Sequence, residues 1–285
     1  MGRHHLNDSF TLPAPGKLNL FLNITGRRSD GYHELQTVFQ LISECDELTF
    51  EKSDQIEVVA PAEIKTEENL IYLAAKALTT HVGIASVGQV RGAKITLRKT
   101  LPMGAGMGGG SSDAATTLVG LNKLWDLNLS QKKLLSIGRT LGADVPVFIL
   151  GKSAWAEGVG DQLSPVILPK RYYLVMQPNC FISTAEIFSH SQLTRDSPPI
   201  TIARFLEVGS GNDCEAIVRK HYPEVDQALI WLNQRGPAKM TGTGSCVFLS
   251  FEDKKTAEDV KREVPGNWRS FVTEGLNESP LLAAL

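Results

Sequence analysis

A glycine-rich segment at residues 102–115, with the sequence PMGAGMGGGSSDAA, constrains this chain more than any other stretch. Five glycines fall within the seven positions from Gly104 to Gly110. Glycine adopts positive φ angles without strain and lets a ligand approach the backbone closely. Residues 111–113 are favourable helix starters, and apolar residues then recur at helical spacing: Ala114, Leu118, Leu121 and Trp125. The pattern predicts a glycine loop that leads into a helix N-terminus, where N–H groups and the helix dipole suit a phosphate.

Three well-known phosphate-binding patterns do not explain this segment. The Walker pattern requires a lysine directly before Ser111, and none is present. The dinucleotide pattern G-x-G-x-x-G is met by Gly104, Gly106 and Gly109, but the acid required about twenty residues later, at the end of a strand, is missing. The protein-kinase pattern requires H-R-D and D-F-G partners, which the sequence lacks. From composition alone, an ordinary flexible loop remains the alternative.

The overall composition is that of an ordinary globular protein. The chain has 285 residues, of which 42% are hydrophobic and 21% are charged, and this length favours about two domains. The formal net charge of −2 argues against a nucleic-acid surface, because there is no excess of basic residues to neutralise a phosphate backbone. A small phosphorylated ligand is still compatible with this charge, since backbone N–H groups can bind phosphate.

The four cysteines, Cys45, Cys180, Cys214 and Cys246, are scattered and form no C-x-x-C pair. This spacing disfavours a zinc or thioredoxin-like site and favours free thiols in a reducing compartment. No apolar run approaches the ~20 residues of a membrane span, and the N-terminal residues lack the apolar core of a secretion signal. We therefore expect a cytoplasmic protein without a membrane partner, with residues 1–9 as a loose tail.

The hydrophobic pattern along the chain mixes strands and helices. It predicts strands over 18–24, 35–42, 47–50, 56–59, 93–97, 172–176, 246–251 and 269–273, and helices over 67–80, 130–141, 212–221, 223–234 and 253–264. We expect 47–50 and 56–59 to form a hairpin and the apolar run 145–150 to follow a helix-to-strand junction. The mixture favours an α+β fold over a doubly wound sheet. Pro165 marks a linker, which predicts domains at residues 1–165 and 166–285.

The first strand carries two polar candidates on one face. Lys17 and Asn19 lie on the side opposite Leu18 and Leu20, so the pattern predicts a strand with one buried face. A solvated face is the plain interpretation of these residues. Asparagine is disfavoured in strands, however, and this tilts the interpretation toward a site.

Two further positions have an ordinary and a functional interpretation. Tyr32 and His33 directly follow the turn 26–31, where packing at a loop edge is the interpretation that spacing favours. Asp144 lies between a helix stop and the apolar run, where it is either a capping residue or a partly desolvated carboxylate suited to chemistry. A second glycine cluster, 241–244, precedes the predicted strand 246–251.

Matched motifs then identify a family. The segment 102–115 resembles the second motif of the galactokinase, homoserine kinase, mevalonate kinase and phosphomevalonate kinase (GHMP) superfamily. Residues 13–22 (PAPGKLNLFL) and 240–248 (MTGTGSCVF) resemble its first and third motifs. Segments 24–37, 141–148 and 156–160 are similar to the branch that phosphorylates a cytidine-diphosphate-linked methylerythritol. The resemblance runs from about residue 12 to the end; Gly16 departs from the usual alanine, a small-for-small change.

The resemblance implies a two-domain GHMP kinase fold with the active site in the cleft between an ATP-binding domain, 1–165, and a substrate-binding domain, 166–285. It implies transfer of the γ-phosphoryl group of ATP, with Mg²⁺ whose ligands the sequence does not mark, to a hydroxyl of the small-molecule substrate. Lys17 and Asp144 match the family's catalytic pair. The implied ATP-binding residues are Pro102, Met103, Gly104, Ala105, Gly106, Met107, Gly108, Gly109, Gly110, Ser111 and Ser112. The implied substrate-binding residues are Asn19, Tyr32, His33, Phe188, Gly242 and Gly244.

Two alternatives remain from the sequence. The chain could be a GHMP relative that acts on another small alcohol such as homoserine or mevalonate, although those relatives lack the stretch 31–33. It could also be a catalytically inactive nucleotide-binding regulator, against which the intact Lys17 and Asp144 argue. Lys99, which lies just before the glycine loop, receives no assigned role.

Overall fold

A computed structural model describes residues 9–82 and 92–285. Most of the predicted N-terminal tail, residues 1–8, lies outside these ranges. So does Gly83, near which the sequence predicts that the helix over 67–80 ends. None of the helices within the described ranges is both long and apolar enough to cross a membrane.

The described residues form ten strands and ten α-helices in mixed order. The first half contains β1 Phe10–Arg27, β2 His33–Ser53, β3 Ile56–Val59, α1 Leu70–His81, β4 Gly92–Arg98, α2 Gly109–Leu124, α3 Gln131–Gly138, α4 Val145–Leu150, β5 Ala154–Glu157 and β6 Gln162–Pro165. The second half contains β7 Tyr172–Gln177, α5 Thr184–Ser189, α6 Ile202–Val208, α7 Glu215–His221, α8 Pro223–Asn233, β8 Lys239–Met240, β9 Val247–Phe251, α9 Lys254–Arg262, β10 Arg269–Leu276 and α10 Pro280–Ala283. This confirms the α+β class.

The sheet is organised around the long strand β2. One edge of β2 pairs antiparallel with β1 along most of its length, with three register shifts. The other edge pairs in succession with β5, β10 and β4. Strand β10 also pairs with β7, so it joins the two halves of the chain into the order β3-β4-β2-β10-β7-β9-β8. The domain boundary at residue 165 stays a prediction.

The predicted hairpin between 47–50 and 56–59 is wrong. Both segments are strands, but β3 pairs in parallel with β4, from Ile56↔Ala93 to Val59↔Thr96. Strand β4 lies between β2 and β3 and pairs antiparallel with β2. After the turn at 53–55 the chain therefore skips one position in the sheet, so that β3 is not the neighbour of β2. The neighbour is β4, a segment distant in sequence whose pairing a local pattern cannot predict.

The apolar run 145–150 is a helix, α4, and the predicted helix-to-strand junction before it is wrong. Pro146 lies in its first turn, where the missing N–H would have no partner in any case. Gly151 ends the helix in the left-handed conformation, with φ of 67°. Five of its six residues are buried, so the run is uniformly apolar because both its sides pack. Asp144 consequently lies immediately before a helix N-terminus.

Helices α1, α2 and α4 pack with β1, β2 and β4 in one apolar core, and α7 and α8 pack with β7 and β9 in another. Strand β1 is buried on both faces, because Lys17 and Asn19 are only 3% exposed. The prediction of a single buried face for this strand is therefore wrong. Register shifts in β1 break the strict alternation from which that prediction was made.

Candidate active site

One cavity of about 1080 Å³ brings most of the predicted site residues together. It is lined by segments from many parts of the chain, which include the middle of β1, the β1–β2 turn, the glycine loop, the residues just before α4 and helix α5. The predicted residues on its wall are Lys17, Asn19, Tyr32, His33, Pro102, Met103, Gly104, Ala105, Gly106, Gly108, Gly109, Gly110, Ser111, Asp144, Phe188 and Gly242. The cavity is large enough for two ligands side by side, since single-ligand pockets begin at roughly 300 Å³.

Three predicted residues do not line the cavity. Met107 is 1% exposed and packs in a core cluster, because its side chain points away while its carbonyl accepts a hydrogen bond from the Lys17 backbone N–H. Ser112 is fully buried in the first turn of α2. Gly244 faces Ile182 and Met240, which a Cβ atom would meet at 3.0 Å. For these three, sequence position within a motif does not place the residue at the cavity surface.

The Lys17 ammonium and the Asp144 carboxylate form an ion pair in this cavity, with Nζ and Oδ2 3.2 Å apart. The Lys17 side chain is 4% exposed, whereas that of Asp144 is 32% exposed. Lys17 also donates to the Gly106 carbonyl at 3.0 Å and to the Asn19 side-chain oxygen. The cation is therefore fixed by three oxygen partners, while the carboxylate keeps an open side toward the cavity.

Asn19 supports Lys17 through a short chain of hydrogen bonds. Its Oδ1 accepts from Lys17, and its Nδ2 donates to Thr37 Oγ1 at 2.9 Å. Its backbone N–H donates to Thr241 Oγ1, also at 2.9 Å. Both ends of the Asn19 amide thus have partners within the protein, and the contact with substrate that the family resemblance implies stays a prediction.

The glycine loop adopts a conformation that other residues would not tolerate. Gly104, Gly106 and Gly108 have φ of 61°, 76° and 69°. A Cβ atom on Gly106 would lie 2.2 Å from the Thr241 carbonyl oxygen, so the glycine loop contacts the glycine cluster 241–244 directly. A Cβ atom on Gly242 would in turn lie 3.3 Å from Gly106 Cα, so the two glycine clusters pack against each other.

Helix α2 begins at Gly109 and has Gly108 as its N-cap, with no side-chain capping bond. The prediction that residues 111–113 cap this helix is wrong, because they lie inside its first turn. Gly108, Gly109, Gly110 and Ser111 all line the cavity. The first N–H groups of a helix have no intrahelical partner, so an uncapped N-terminus here can donate to a phosphate.

An aromatic pocket lies elsewhere on the cavity wall. The rings of His33 and Phe188 are 5.2 Å apart and tilted by 33°. Tyr32, with 65% of its surface exposed, also lines the cavity. The pKa of His33 is lowered by burial and by the positive charges of Arg195 and Arg27. A flat ring would find aromatic surfaces here and a neutral imidazole at its edge.

Two functional-site candidates were not assigned a role from the sequence. Arg195 donates to His33 at 3.0 Å, although it comes from the proline-rich loop 191–200, in which no periodicity marks it. Asp46, on β2, lies 2.6 Å from Lys99, which in turn lies 2.7 Å from Asp113. Asp46 lies in the acidic stretch 44–47 between two predicted strands, where nothing distinguishes it from its neighbours Glu44 and Glu47.

The Lys99 ammonium lies directly behind the glycine loop. It is 10% exposed and contacts both carboxylates, and a Cβ atom on Gly109 would meet its Nζ at 3.0 Å. Asp46 also accepts hydrogen bonds from the backbone N–H groups of Thr100 and Leu101 at 2.6 and 2.8 Å. Burial raises the pKa of Asp113 to about 7, with the nearby Asp46 charge adding to the rise and Lys99 opposing it.

No group of three or more His, Cys, Asp or Glu side chains suited to a metal ion occurs among residues 9–82 and 92–285. Mg²⁺ is commonly held by one or two carboxylates together with substrate phosphates. Asp144 is a partly open carboxylate on the cavity, and so its donor chemistry fits a magnesium ion shared with phosphate oxygens. The protein alone does not form a closed metal cage in the part of the chain that the structure describes.

Family models match both halves of the chain. Residues 69–152 match the GHMP kinases N-terminal domain, and residues 197–270 match the GHMP kinases C-terminal domain. The first match contains the glycine loop and Asp144, and the second contains the glycine cluster 241–244. The two matches therefore include several of the segments that line the cavity, whereas Lys17 and the β1–β2 turn lie outside them.

Relatives that match nearly the whole chain indicate one branch of this family. The chain is 52% identical over 277 residues to the 4-diphosphocytidyl-2-C-methyl-D-erythritol kinase of Marinomonas sp. (strain MWYL1), covering 96% of this chain and 90% of that one. It is 50% identical over 288 residues to the enzyme of the same name from Hahella chejuensis, covering 98% and 97%.

Solved structures agree with this assignment. A crystal structure of 4-(cytidine 5'-diphospho)-2C-methyl-D-erythritol kinase matches with a TM-score of 0.79 and 32% identity, over 94% of this chain and 100% of that one. A crystal structure of mevalonate kinase, at 14% identity, matches with a TM-score of 0.70 over 94% and 100% and shows the common fold. The chain belongs to the GHMP kinases and, within them, to the 4-diphosphocytidyl-2-C-methyl-D-erythritol kinase family.

Proposed function

We propose that this protein transfers the γ-phosphoryl group of ATP to a hydroxyl of 4-(cytidine 5'-diphospho)-2-C-methyl-D-erythritol, giving the 2-phosphate and ADP in the non-mevalonate isoprenoid pathway. The observation that carries this proposal is the Lys17–Asp144 pair, which lies beside an uncapped helix N-terminus on the wall of one cavity. Relatives at about half identity along nearly the whole chain bear the name of this activity.

In the proposed reaction the protein positions the reactants and stabilises charge, which is what phosphoryl transfer requires. Backbone N–H groups around Gly108–Ser111 would bind the phosphates of ATP. The substrate hydroxyl would attack the γ-phosphorus as the bond to the β-phosphate oxygen breaks, and its proton would pass to Asp144. The Lys17 ammonium would stabilise the negative charge on the transferring group, in a site where water is partly excluded.

Mg²⁺ would be held mainly by phosphate oxygens, with a minor contribution from Asp144, and when bound it would neutralise charge on the β- and γ-phosphates. We also propose the division into an ATP-binding domain, 1–165, and a substrate-binding domain, 166–285. The four free cysteines support the cytoplasm as the compartment, since it keeps thiols reduced. The net charge of −2 supports small-molecule rather than nucleic-acid partners.

The aromatic pocket would bind the cytosine ring. Tyr32 and Phe188 offer ring faces, and aromatic–base stacking contributes about 1–3 kcal/mol per base. His33 would bind an edge of the base. Gly242 lies on the cavity wall between the glycine loop and α5, which suits an approach of the diphosphate to the backbone.

The test is a coupled assay of ADP formation with the purified chain and each of three acceptors. We expect turnover with 4-(cytidine 5'-diphospho)-2-C-methyl-D-erythritol and at most background with homoserine or mevalonate. Preference for either of the other alcohols would assign the chain to a different GHMP activity. ATP binding without turnover of any acceptor would instead favour a nucleotide-binding regulator.

A further inference from the structure

The Arg195 guanidinium donates four hydrogen bonds at one end of the aromatic pocket. Its Nε donates to His33 Nε2 at 3.0 Å. Its Nη1 donates to the Leu193 carbonyl at 3.1 Å, and its Nη2 donates to the carbonyls of Phe188 and His190 at 3.1 and 2.8 Å. The guanidinium therefore ties His33, from the start of β2, to the loop that follows α5.

The bond from Arg195 determines where His33 carries its proton. An arginine side chain has only donors, so the Nε2 atom that faces it must be an acceptor without hydrogen. A neutral imidazole then carries its hydrogen on Nδ1. The doubly protonated ring is disfavoured, because it would place an N–H and a second positive charge against the guanidinium. Burial and the charges of Arg195 and Arg27 lower the pKa of His33 in agreement with this arrangement.

Among the described residues the His33 ring takes part in one hydrogen bond, the one from Arg195 to Nε2, so its Nδ1 atom is available to a ligand. His33 lines the cavity, and its ring centroid lies 5.2 Å from that of Phe188. The base would stack on the same Phe188 ring. The group offered to the edge of a bound base is thus an N–H donor. Cytosine has an acceptor at N3, whereas uracil has an N3–H donor at the same place. Two donors facing each other leave both unpaired, and an unmade buried hydrogen bond is costly.

We infer that Arg195 is a positioning residue that fixes His33 as the Nδ1–H tautomer and thereby makes the pocket select cytosine over uracil. The inference rests on the proposed function in one respect, namely that the aromatic pocket binds the pyrimidine. Arginine suits this role better than lysine, since its planar fork reaches the imidazole and three carbonyls at once.

The tautomer is measured on the unaltered full chain by ¹⁵N–¹H correlation spectra of the histidine rings, with His33→Gln to assign the His33 signals. At pH 7 we expect Nδ1 to be protonated and Nε2 to be the bare nitrogen. A His33 ring that is cationic, or protonated on Nε2, would overturn the inference without any Arg195 variant. This measurement needs no substrate turnover, so it is independent of the proposed reaction.

Selectivity is measured by titration calorimetry with CDP and UDP as probes. We expect the wild-type chain to bind CDP at least tenfold more tightly than UDP. Arg195→Met should lose most of that ratio and show mixed His33 tautomers, while Arg195→Lys should keep part of it. Arg204→Lys, an exposed change on α6, is the matched control and should retain the full ratio.

Steady-state kinetics separate positioning from a general loss of structure. We expect Arg195→Met to raise KM for the cytidyl substrate about tenfold or more and to leave KM for ATP unchanged. Equal effects on both KM values, or a wild-type chain that binds UDP as tightly as CDP, would overturn the inference. If the wild-type tautomer and CDP preference are as expected but no acceptor is phosphorylated, the proposed function fails and the inference stands.

Discussion

The Lys17 ammonium lies 3.2 Å from the Asp144 carboxylate, although one residue belongs to the first strand and the other precedes α4. The lysine is buried and fixed by the Gly106 carbonyl and by Asn19. The carboxylate is the more exposed partner and has the open side. This asymmetry suits a fixed lysine cation that stabilises negative charge and a carboxylate that accepts the proton of a bound alcohol.

Replacement of Asp144 by asparagine should abolish most turnover and spare ATP binding. The amide keeps the shape but cannot take up the proton of the attacking hydroxyl, and general-base assistance contributes roughly 10²–10⁴-fold. We expect kcat to fall by about that factor, as measured by ADP formation, with the ATP dissociation constant changed by less than about threefold. Glu252→Gln, an exposed change at a residue that does not line the cavity, is the control. A near wild-type kcat in Asp144→Asn would remove Asp144 from the mechanism.

Alanine at Gly106 should damage the ATP site through the backbone. The native φ of 76° is left-handed, which costs a non-glycine residue roughly 1–2 kcal/mol. The added Cβ would also lie 2.2 Å from the Thr241 carbonyl oxygen, so the loop must move. We expect at least tenfold weaker binding of a non-hydrolysable ATP analogue by calorimetry.

The matched control for that change is Gly266→Ala, where a Cβ would meet nothing within 4 Å. It should bind the analogue as tightly as the unaltered chain. If Gly106→Ala retained full affinity, the close contact between the glycine loop and the third motif would be irrelevant to nucleotide binding.

Alanine at Gly120 should destabilise the fold, although alanine is the better helix former by about 1 kcal/mol. Gly120 lies inside α2, where a Cβ would be 2.4 Å from the Phe50 ring. Overpacking of a close-packed core typically costs about 1–3 kcal/mol. We expect a lower free energy of unfolding in urea and partial recovery in the double variant with Phe50→Leu. A stabilised Gly120→Ala would mean that β2 and α2 do not pack this closely.

Local patterns predicted most individual elements of this fold and little of how they pair. The motif matches led to Lys17, Asp144 and the glycine loop, which the structure brings together at one cavity. The parallel pairing of β3 with β4 depended on a segment distant in sequence. Likewise α4 resembled a strand, because a short helix buried on all sides has no polar face to reveal its period.

The residues that sequence reasoning missed act through long-range contacts. Arg195 lies in a polar loop, and its hydrogen bonds to His33 and Phe188 form only because α5 and the start of β2 meet at the cavity. Asp46 gains its ion-pair partner only because Lys99, which directly follows β4, lies between β2 and Asp113 of α2. In both cases the charge was visible in the sequence, but its partners were set by the assembled sheet.

The cluster of Asp46, Lys99 and Asp113 leads to a prediction about pH. Two buried carboxylates share one ammonium, and the Oδ1 atom of Asp113 is buried without a hydrogen-bond partner. Burial raises the pKa of Asp113 from the ordinary 3.8 to about 7. Between these values the folded protein therefore holds a proton that the unfolded chain has released.

Stability must then fall as pH rises through this window, since the folded state binds more protons than the unfolded state. The contribution of Asp113 is fully present below pH 3.8 and is lost as pH rises past about 7, with a slope of at most ~1.4 kcal/mol per pH unit. An asparagine side chain cannot ionise. The melting temperature of the Asp113→Asn variant minus that of the unaltered chain should therefore increase from pH 5 to pH 8. Melting curves of both proteins across this range measure the difference directly, with the other titrating groups cancelling. A difference that stays constant, or that grows in favour of the unaltered chain, would show that Asp113 is already ionised against Lys99 at pH 5.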